Sequence, residues 1–188
     1  MSALPAPTLD RSLTALPADV RAELRTDHAG ELGAVYIYRA VLALARDPAL
    51  RAFAEQHLVT EQKHLDVIES WLPAAERSRL LPLWRLSGWM VGGVPALFGP
   101  AAVYATIAAV ETFVDRHYQT QVDALAGRPE LALLRDDLEA CRQDEVHHRE
   151  DAEAHGRTLA SRPGPLLRGW CAIVGRGSEL AVGVCRHV

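Results

Sequence analysis

Glutamates and histidines recur along this chain in a fixed order, and no other feature of the sequence constrains its fold as strongly. A glutamate followed three residues later by a histidine occurs twice, and each pair is preceded by another glutamate about one helical hairpin earlier. In chain order the six residues are Glu31, Glu61, His64, Glu111, Glu145 and His148. Residues three apart on an α-helix lie on one face, about one turn apart. The order predicts two helical hairpins built on one plan.

Four helices that turn these faces inward would gather four carboxylates and two imidazoles around one point. Helical bundles hold two metal ions with this set, in which two helices give one glutamate each and two give a Glu-x-x-His pair. Carboxylates and imidazole suit iron, whereas structural zinc prefers tetrahedral sites with sulfur and nitrogen ligands. The sequence therefore predicts an all-α, ferritin-like four-helix bundle with a di-metal core. We expect iron in that core, and ligand type alone leaves manganese open.

Two of the glutamates replace apolar residues in helical stripes. Glu111 follows Tyr104 and Ile107 at steps of three and four, and Glu145 continues the stripe of Leu138 in the same way. Burying an unpaired carboxylate is costly, so we expect a metal ion or another positive partner beside each. For a single Glu-x-x-His pair the simpler interpretation is a solvated surface pair, and the repeat of the pattern favours the site.

The two Glu-x-x-His pairs also suggest how two metal ions would be shared. We assign Glu61 and Glu145 as bridging ligands. The terminal ligands of the two ions are then Glu31 with His64 and Glu111 with His148. Metal binding requires neutral imidazole, so the affinity for metal should fall as the pH drops below about 6.

Neighbouring residues are candidates for orienting these ligands. Asp144 precedes Glu145 and is predicted to accept a hydrogen bond from the second ring nitrogen of His64, since metal-binding histidines usually have such a partner. Tyr118, together with His117, follows Glu111 by two turns and is a candidate hydrogen-bond donor to the site. Ordinary amphipathic packing is the alternative for Tyr118 and His117.

Composition indicates one folded domain without a nucleic-acid partner. The 188 residues are 49% hydrophobic and 23% charged, with a net charge of -4, so the chain can bury a sizeable core. No basic patch interleaved with aromatic residues is present, which argues against nucleic acid. The three cysteines lack C-x-x-C spacing and favour a reduced compartment over a disulfide framework.

The first 17 residues differ from the remainder. Pro5, Pro7 and Pro17 fall within them, and no basic segment is followed by an apolar one, so we predict no secretory signal. We interpret residues 1–17 as a mobile lead-in and residues 18–188 as one ferritin-like di-iron domain.

The connection between the two hairpins is apolar and interrupted. Residues 86–110 carry no charge, yet Gly92-Gly93, Pro95 and Gly99-Pro100 make one continuous membrane-spanning helix improbable. We predict a short crossover helix over about 82–92 and a new helix starting near Pro100. The crossover helix, which carries Trp84 and Trp89, could pack on the bundle or lie in a membrane interface. Both alternatives stay open.

The last helix follows Pro163-Gly164-Pro165 and is apolar almost all round. It either packs on the bundle or presents a surface to a membrane. Gly175-Arg176-Gly177 is not a dinucleotide-binding motif, because no strand precedes it, and we find no nicotinamide or flavin site.

Four stretches of this chain resemble the demethoxyubiquinone hydroxylase family of ubiquinone biosynthesis. They are D-H-A-G-E-L-G-A-x-x-I-Y at 27–38, E-Q-K-H-L at 61–65, A-V-E-T-F-V-D-R-H-Y-x-x-Q at 109–121 and D-E-V-H-H at 144–148. The resemblance extends over about residues 20–188 and includes all six candidate ligand positions. The combination of D-H-A-G-E with two E-x-x-H motifs is more specific than the metal pattern alone.

The resemblance implies an O₂-dependent di-iron monooxygenase that hydroxylates the ring of a demethoxyubiquinol, a 3-demethoxyubiquinol 3-hydroxylase. It implies two iron ions per chain, O₂ as co-substrate and NADH as a candidate electron source. The substrate's polyprenyl tail would explain the apolar segment 82–104 and the last helix as a membrane-docking surface. If the chain is bacterial, we expect peripheral attachment to the cytoplasmic face of the inner (cell) membrane. Other ubiquinone-biosynthesis proteins and further copies of this chain are candidate partners.

Two other functions fit part of the pattern. A soluble iron oxidase or iron store of the ferritin or rubrerythrin kind would share the ligands, but would not need a broken apolar segment with tryptophans. A non-catalytic, membrane-associated helical scaffold would bind no metal tightly. The first predicts assembly into a cage, and the second predicts that Glu111→Ala and Glu145→Ala are harmless.

Overall fold

The computed structural model describes residues 16–159 and 164–187, and in these ranges the chain is helical without a strand. The α-helices are α1 (Ala18–Leu44), α2 (Pro48–Trp71), α3 (Leu81–Ala96), α4 (Pro100–Leu125), α5 (Ala132–Thr158) and α6 (Pro165–Cys185). Single turns of 3₁₀-helix at Ala74–Glu76 and Pro129–Leu131 precede α3 and α5. Of the predicted lead-in, residues 1–15 lie outside the described residues, as does Pro163 before the last helix. Leu16 is buried against Ile68 and Trp71.

Helices α1, α2, α4 and α5 form the four-helix bundle, which confirms the ferritin-like prediction. α1 packs on α2, α4 packs on α5, and α2 meets α5 across the bundle. α3 is the crossover between the two hairpins and lies along α1, while α6 lies on α4 and α1. The bundle interior is filled by fully buried side chains that include Leu24, Leu50, Ile68, Ile107 and Leu134.

Local sequence signals explain where several helices begin. Asp47 caps α2, because its side chain accepts a hydrogen bond of 2.8 Å from the backbone N–H of Leu50, and Pro48 takes the first helical position. Gly99 has a φ of 96°, a conformation that favours glycine, and it turns the chain from α3 into α4. Pro100 then begins α4 close to its predicted position.

Glycines let α3 approach α1 at backbone distance. A Cβ atom at Gly88 would lie 2.4 Å from the carbonyl oxygen of Gly33, and one at Gly92 would lie 2.2 Å from that of Ile37. No side chain fits in either place. The sequence-based prediction that α3 ends near residue 92 is therefore wrong, and α3 continues to Ala96 with Pro95 in its last turn. Contact with α1 stabilises the helix where glycine alone would weaken it.

α3 and α6 expose apolar side chains over much of their outer faces. Leu86, Leu166 and Leu180 on these helices, and Phe98 just after α3, are each at least 60% exposed. Among the described helices, none is both long enough and apolar enough to pass through a bilayer.

Candidate metal centre

The six glutamates and histidines predicted from the sequence meet in the middle of the bundle. α1 contributes one glutamate, α4 another, and α2 and α5 each contribute a glutamate and the histidine one turn later. All six side chains are buried, with at most 4% of their surface exposed. They form the carboxylate–histidine site, which consists of Glu31, Glu61, His64, Glu111, Glu145 and His148.

Donor atoms of the site fall into two groups that could each hold a metal ion. In each group the atoms lie within 4.8 Å of one another. The first group is Glu31, Glu61, His64 and Glu145, and the second is Glu61, Glu111, Glu145 and His148. Glu61 and Glu145 belong to both groups, which is the arrangement that bridging carboxylates require.

Imidazole nitrogens and carboxylate oxygens face one another at the centre. His64 Nδ1 lies 3.0 Å from Glu145 Oε1, and His148 Nδ1 lies 3.1 Å from Glu61 Oε1. Although close together, several buried atoms have no partner in hydrogen-bonding geometry among the described residues: Glu31 Oε2, Glu61 Oε1 and Oε2, Glu145 Oε2, His64 Nδ1 and His148 Nδ1. Buried polar atoms without partners are costly, and cations bound between them would remove that cost.

The chemistry of the donor set fits a pair of divalent cations. Four ionised carboxylates carry four negative charges, which two divalent ions would neutralise. Oxygen donors in excess of nitrogen, with no sulfur, suit iron or manganese. The buried residues of the carboxylate–histidine site can therefore hold a metal pair.

Charge crowding shifts the ionisation of the site when no cation is bound. Burial and the charge of Glu145 raise the pKa of Glu61 and of Glu111. Burial acts to lower the pKa of His148, but the adjacent carboxylates of Glu145 and Glu61 outweigh it and raise the pKa to about 10. The metal-free site thus holds protons in the place of cations, and binding a metal ion would release them.

Asp144 and Tyr118 both contact the site. His64 Nε2 lies 3.1 Å from Asp144 Oδ2. An ionised carboxylate can only accept a hydrogen bond, so Nε2 carries a hydrogen, and Nδ1 faces the glutamates, where its lone pair can bind a metal ion. On the other side, the Tyr118 hydroxyl donates a hydrogen bond to Glu31 Oε1.

Two residues around the site were not among the site residues predicted from the sequence. The hydroxyl of Tyr38 donates to Glu111 Oε1 at 3.5 Å, and its position in an apolar stripe made it resemble an ordinary core residue. His57 is buried and packs against His148. One signal could have identified His57, because it precedes Glu61 by four residues and so shares its helix face.

His117 belongs to a polar cluster at the edge of the site. Its Nε2 lies 3.0 Å from Asp27 Oδ1 and 3.1 Å from the Thr26 hydroxyl. Gln121 also donates to Asp27, at 2.6 Å. This cluster joins α1 to α4 beside Tyr118, so His117 stabilises the bundle in addition to facing the cavity described next.

A cavity of about 550 Å³ leads from the site toward α3 and α6. We call it the site cavity. Carboxylates of the site, including those of Glu31 and Glu111, form its inner end, and apolar residues of α3, α4 and α6 form its walls. Gly30 borders this cavity with open space around it, whereas Gly33 packs 3.2 Å from the ring of Trp84. A glycine at position 33 allows close approach of Trp84, and a glycine at position 30 leaves the cavity open.

The fold and the site together define the class as ferritin-like helical bundles with a buried carboxylate–histidine centre. The sequence model of the family described as "Ubiquinone biosynthesis protein COQ7" matches residues 18–185. The chain belongs to this family.

Relatives of this chain carry hydroxylase names. A 3-demethoxyubiquinol 3-hydroxylase of Rhodospirillum rubrum is 36% identical, with 88% of this chain and 76% of the relative aligned. An NADPH-dependent 3-demethoxyubiquinone 3-hydroxylase, mitochondrial, of Dictyostelium discoideum is 32% identical over the same shares of the two chains. A 5-demethoxyubiquinone hydroxylase, mitochondrial, of Saccharomyces cerevisiae is 32% identical, with 73% of this chain and 66% of the relative aligned.

Proposed function

We propose that this protein is a 3-demethoxyubiquinol 3-hydroxylase, an O₂-dependent monooxygenase that adds a hydroxyl group to the quinol ring in ubiquinone biosynthesis. The observation that carries the proposal is the site cavity, whose inner end is formed by all four carboxylates of the carboxylate–histidine site, including Glu61 and Glu145 of both metal-binding groups. Membership of the COQ7 family and the names of the relatives point to the same reaction.

Two iron ions held by the carboxylate–histidine site would supply the activation of O₂ and the transfer of one oxygen atom to the ring. The residues around them would control orientation and water. Asp144 holds His64 so that Nδ1 faces the centre, and Tyr118 fixes one oxygen of Glu31. Apolar walls that include Ile37, Val110 and Val174 would keep bulk water away from the reacting ring.

The electron source is proposed to be a reduced nicotinamide that acts from outside this chain. NADH is the expectation from the sequence, and the name of the Dictyostelium relative specifies NADPH. Both reductants should therefore be compared in the assay, with and without a quinone present as an electron carrier.

We propose that the exposed apolar faces of α3 and α6 rest in the interfacial layer of a membrane. Contiguous exposed apolar surface marks a contact site, and a substrate with a polyprenyl tail resides in the bilayer. If the chain is bacterial, the proposed location is the cytoplasmic face of the inner (cell) membrane.

The test combines metal content with turnover on the full-length chain in lipid. Iron is added anaerobically, a demethoxyquinol and a reductant are supplied, and the ring product is followed by mass. We expect about two irons per chain and one added oxygen atom. The same assay on Glu145→Ala should show neither, while Glu150→Ala, an exposed carboxylate on the same helix, should behave like the unchanged protein.

The other outcomes separate the alternative functions. Two irons without ring oxidation would overturn the hydroxylase proposal in favour of an iron oxidase or store. Failure to retain metal at neutral pH would overturn the metal assignment and favour a helical scaffold at a membrane.

A further inference from the structure

The site cavity runs lengthwise between α3 and α6, and its two ends differ in character. At one end lie the start of α3 and the end of α6, represented in the wall by Leu80 and Val184. At the other end lie Val91 of α3 and Trp170 of α6. An apolar ligand tail that leaves the cavity must pass one of these ends.

Charged groups surround the first end. The Arg186 guanidinium pairs with Glu23 at 2.8 Å, and Arg25 donates to the Arg186 carbonyl oxygen at 3.1 Å. Arg25 also donates to the backbone oxygen of Glu76 at 2.7 Å and pairs with its carboxylate at 3.4 Å. These contacts tie α6 to α1 and to the turn before α3. A hydrocarbon chain passing here would have to separate or desolvate paired charges.

A second cavity adjoins the other end. It has a volume of about 980 Å³, near the upper end of the range of about 300–1,000 Å³ that is common for small-molecule sites. Trp170 lines both cavities and forms the partition between them. Its indole N–H donates to the Thr106 hydroxyl at 3.0 Å, which fixes the ring in this position.

Small residues on α4 create the second cavity. Ala101, Ala102, Ala105 and Ala108 line it, so this part of α4 leaves space where larger side chains would fill the contact with α6. Its other walls are mainly apolar and come from α3, α5 and α6. The charged residues in the wall, Glu153 and Arg157, are exposed and pair with each other at 3.5 Å.

We propose that the second cavity binds the first isoprene units of the substrate's polyprenyl tail, so that the tail leaves the site cavity past Trp170 and not past Arg186. This inference rests on the proposed function, because it takes the ring to lie in the site cavity. The apolar lining, the wall that the two cavities share at Trp170 and the paired charges at the opposite end all favour this direction. Exposed Phe98 and Leu166 border the second cavity and lead the remaining tail toward the membrane face.

Filling the second cavity tests the proposal. Gly156→Leu places a side chain into it, and the position has room, because the nearest atom to an added Cβ is Tyr104 Cβ at 3.8 Å. Ala101→Leu fills the cavity from α4. The matched control is Ala124→Leu at an exposed position of the same helix. Val184→Trp instead obstructs the charged end of the site cavity.

The iron-loaded chain is assayed with two demethoxyquinols, one that carries a methyl group in place of the tail and one that carries three isoprene units. The unchanged protein should have a lower KM for the longer substrate. Gly156→Leu and Ala101→Leu should raise the KM of the longer substrate about tenfold, because buried methylenes would be displaced, and should leave the shorter one nearly unchanged. Ala124→Leu and Val184→Trp should preserve the preference for the longer tail. A selective loss in Val184→Trp, or no loss in the two filling variants, would overturn the proposal.

A binding measurement keeps the tail site separate from the proposed reaction. Farnesol, a tail without a ring, is titrated into the metal-free full-length chain while tryptophan fluorescence is followed. Saturable binding that is lost in Gly156→Leu and kept in Ala124→Leu supports the tail site, even if neither quinol is hydroxylated and the proposed function fails. Equal binding to both variants overturns the tail site, whatever the activity.

Discussion

His57 lies edge-on against His148, with their ring centroids 4.2 Å apart and their planes inclined by 75°. Its Nε2 donates to Asp151 Oδ2 at 2.8 Å, so the ring connects α2 to α5 directly behind the site. His57 thereby supports the position of His148 without belonging to either metal-binding group.

His57 should make the free energy of unfolding depend on pH. Burial, and then the charge of His148, lower the pKa of His57 from 6.5 to about 4. Below pH 6.5, His57 binds a proton in the unfolded chain but stays neutral in the folded chain. Each pH unit between 6.5 and about 4 should therefore lower the free energy of unfolding by roughly 1 kcal/mol. Urea unfolding of the metal-free protein between pH 7 and 5 should show a shallower slope in His57→Gln. The same slope in His57→Gln and in the protein with unchanged His57 would contradict this prediction, and His187→Gln, at an exposed position after α6, is the control.

Substitution of a glutamate shared by both donor groups should reduce the number of bound metal ions more than substitution of a terminal glutamate. Glu145 belongs to both donor groups and Glu111 to only one. We expect Glu145→Ala to lose nearly all iron and Glu111→Ala to keep about one ion of two. Iron analysis after gel filtration measures this difference, and equal losses in the two variants would speak against the division into bridging and terminal carboxylates.

Asp144 should affect metal affinity through His64. Loss of the partner that orients a metal-binding histidine typically lowers affinity by about 10–100-fold. Competition with a chelator should therefore show weaker binding in Asp144→Ala, whereas Glu150→Ala on the same helix should leave affinity unchanged. An unchanged affinity in Asp144→Ala would mean that packing alone orients His64.

The α1–α3 contact should be intolerant of a single methyl group. Gly92→Ala would put a Cβ 2.2 Å from the Ile37 carbonyl oxygen, so the helices must separate, at a cost of about 1–3 kcal/mol or more. Gly175→Ala is the matched control in α6, where nothing lies within 4 Å, and it should be neutral or slightly stabilising. Thermal unfolding of both variants gives the comparison.

Membrane binding should depend on the outer faces of α3 and α6. Phe98 is 79% exposed at the end of α3, and Val59 is 57% exposed on α2. Phe98→Ser should lower the bound fraction in a liposome flotation assay, and Val59→Ser should not. Equal flotation of both variants would place the membrane contact elsewhere.

The bundle and its site were predictable because the requirements of chemistry coincide with the period of the helix. Glu61 and His64 must share a face to meet one centre, and that requirement is visible as a spacing. Glu111 could be recognised because a carboxylate within an apolar stripe needs a partner. Their meeting point follows from packing four such faces together, which the fold confirms.

Other features leave no unambiguous trace in the sequence. From the sequence, Gly92 could equally end a helix or allow close approach of another helix. The contact with Ile37 of α1 in the structure shows that it allows close approach. The second cavity arises from alanines such as Ala105, which are frequent in helices whether or not they border a space. His57 resembles any core histidine until Asp151 and His148 are seen around it.

The backbone contact between α3 and α1 determines which wall of the site cavity can move. Gly88 and Gly92 place α3 in direct contact with the backbone of α1, and α1 also carries Glu31. We therefore expect α1 and α3 to move together, as one rigid unit that includes part of the metal centre. α6 instead packs on α4 through side chains and is tied near its ends by Trp170 and Arg186. We therefore expect a bulky ring to enter by displacement of α6 and not of α3, with the position of Glu31 undisturbed.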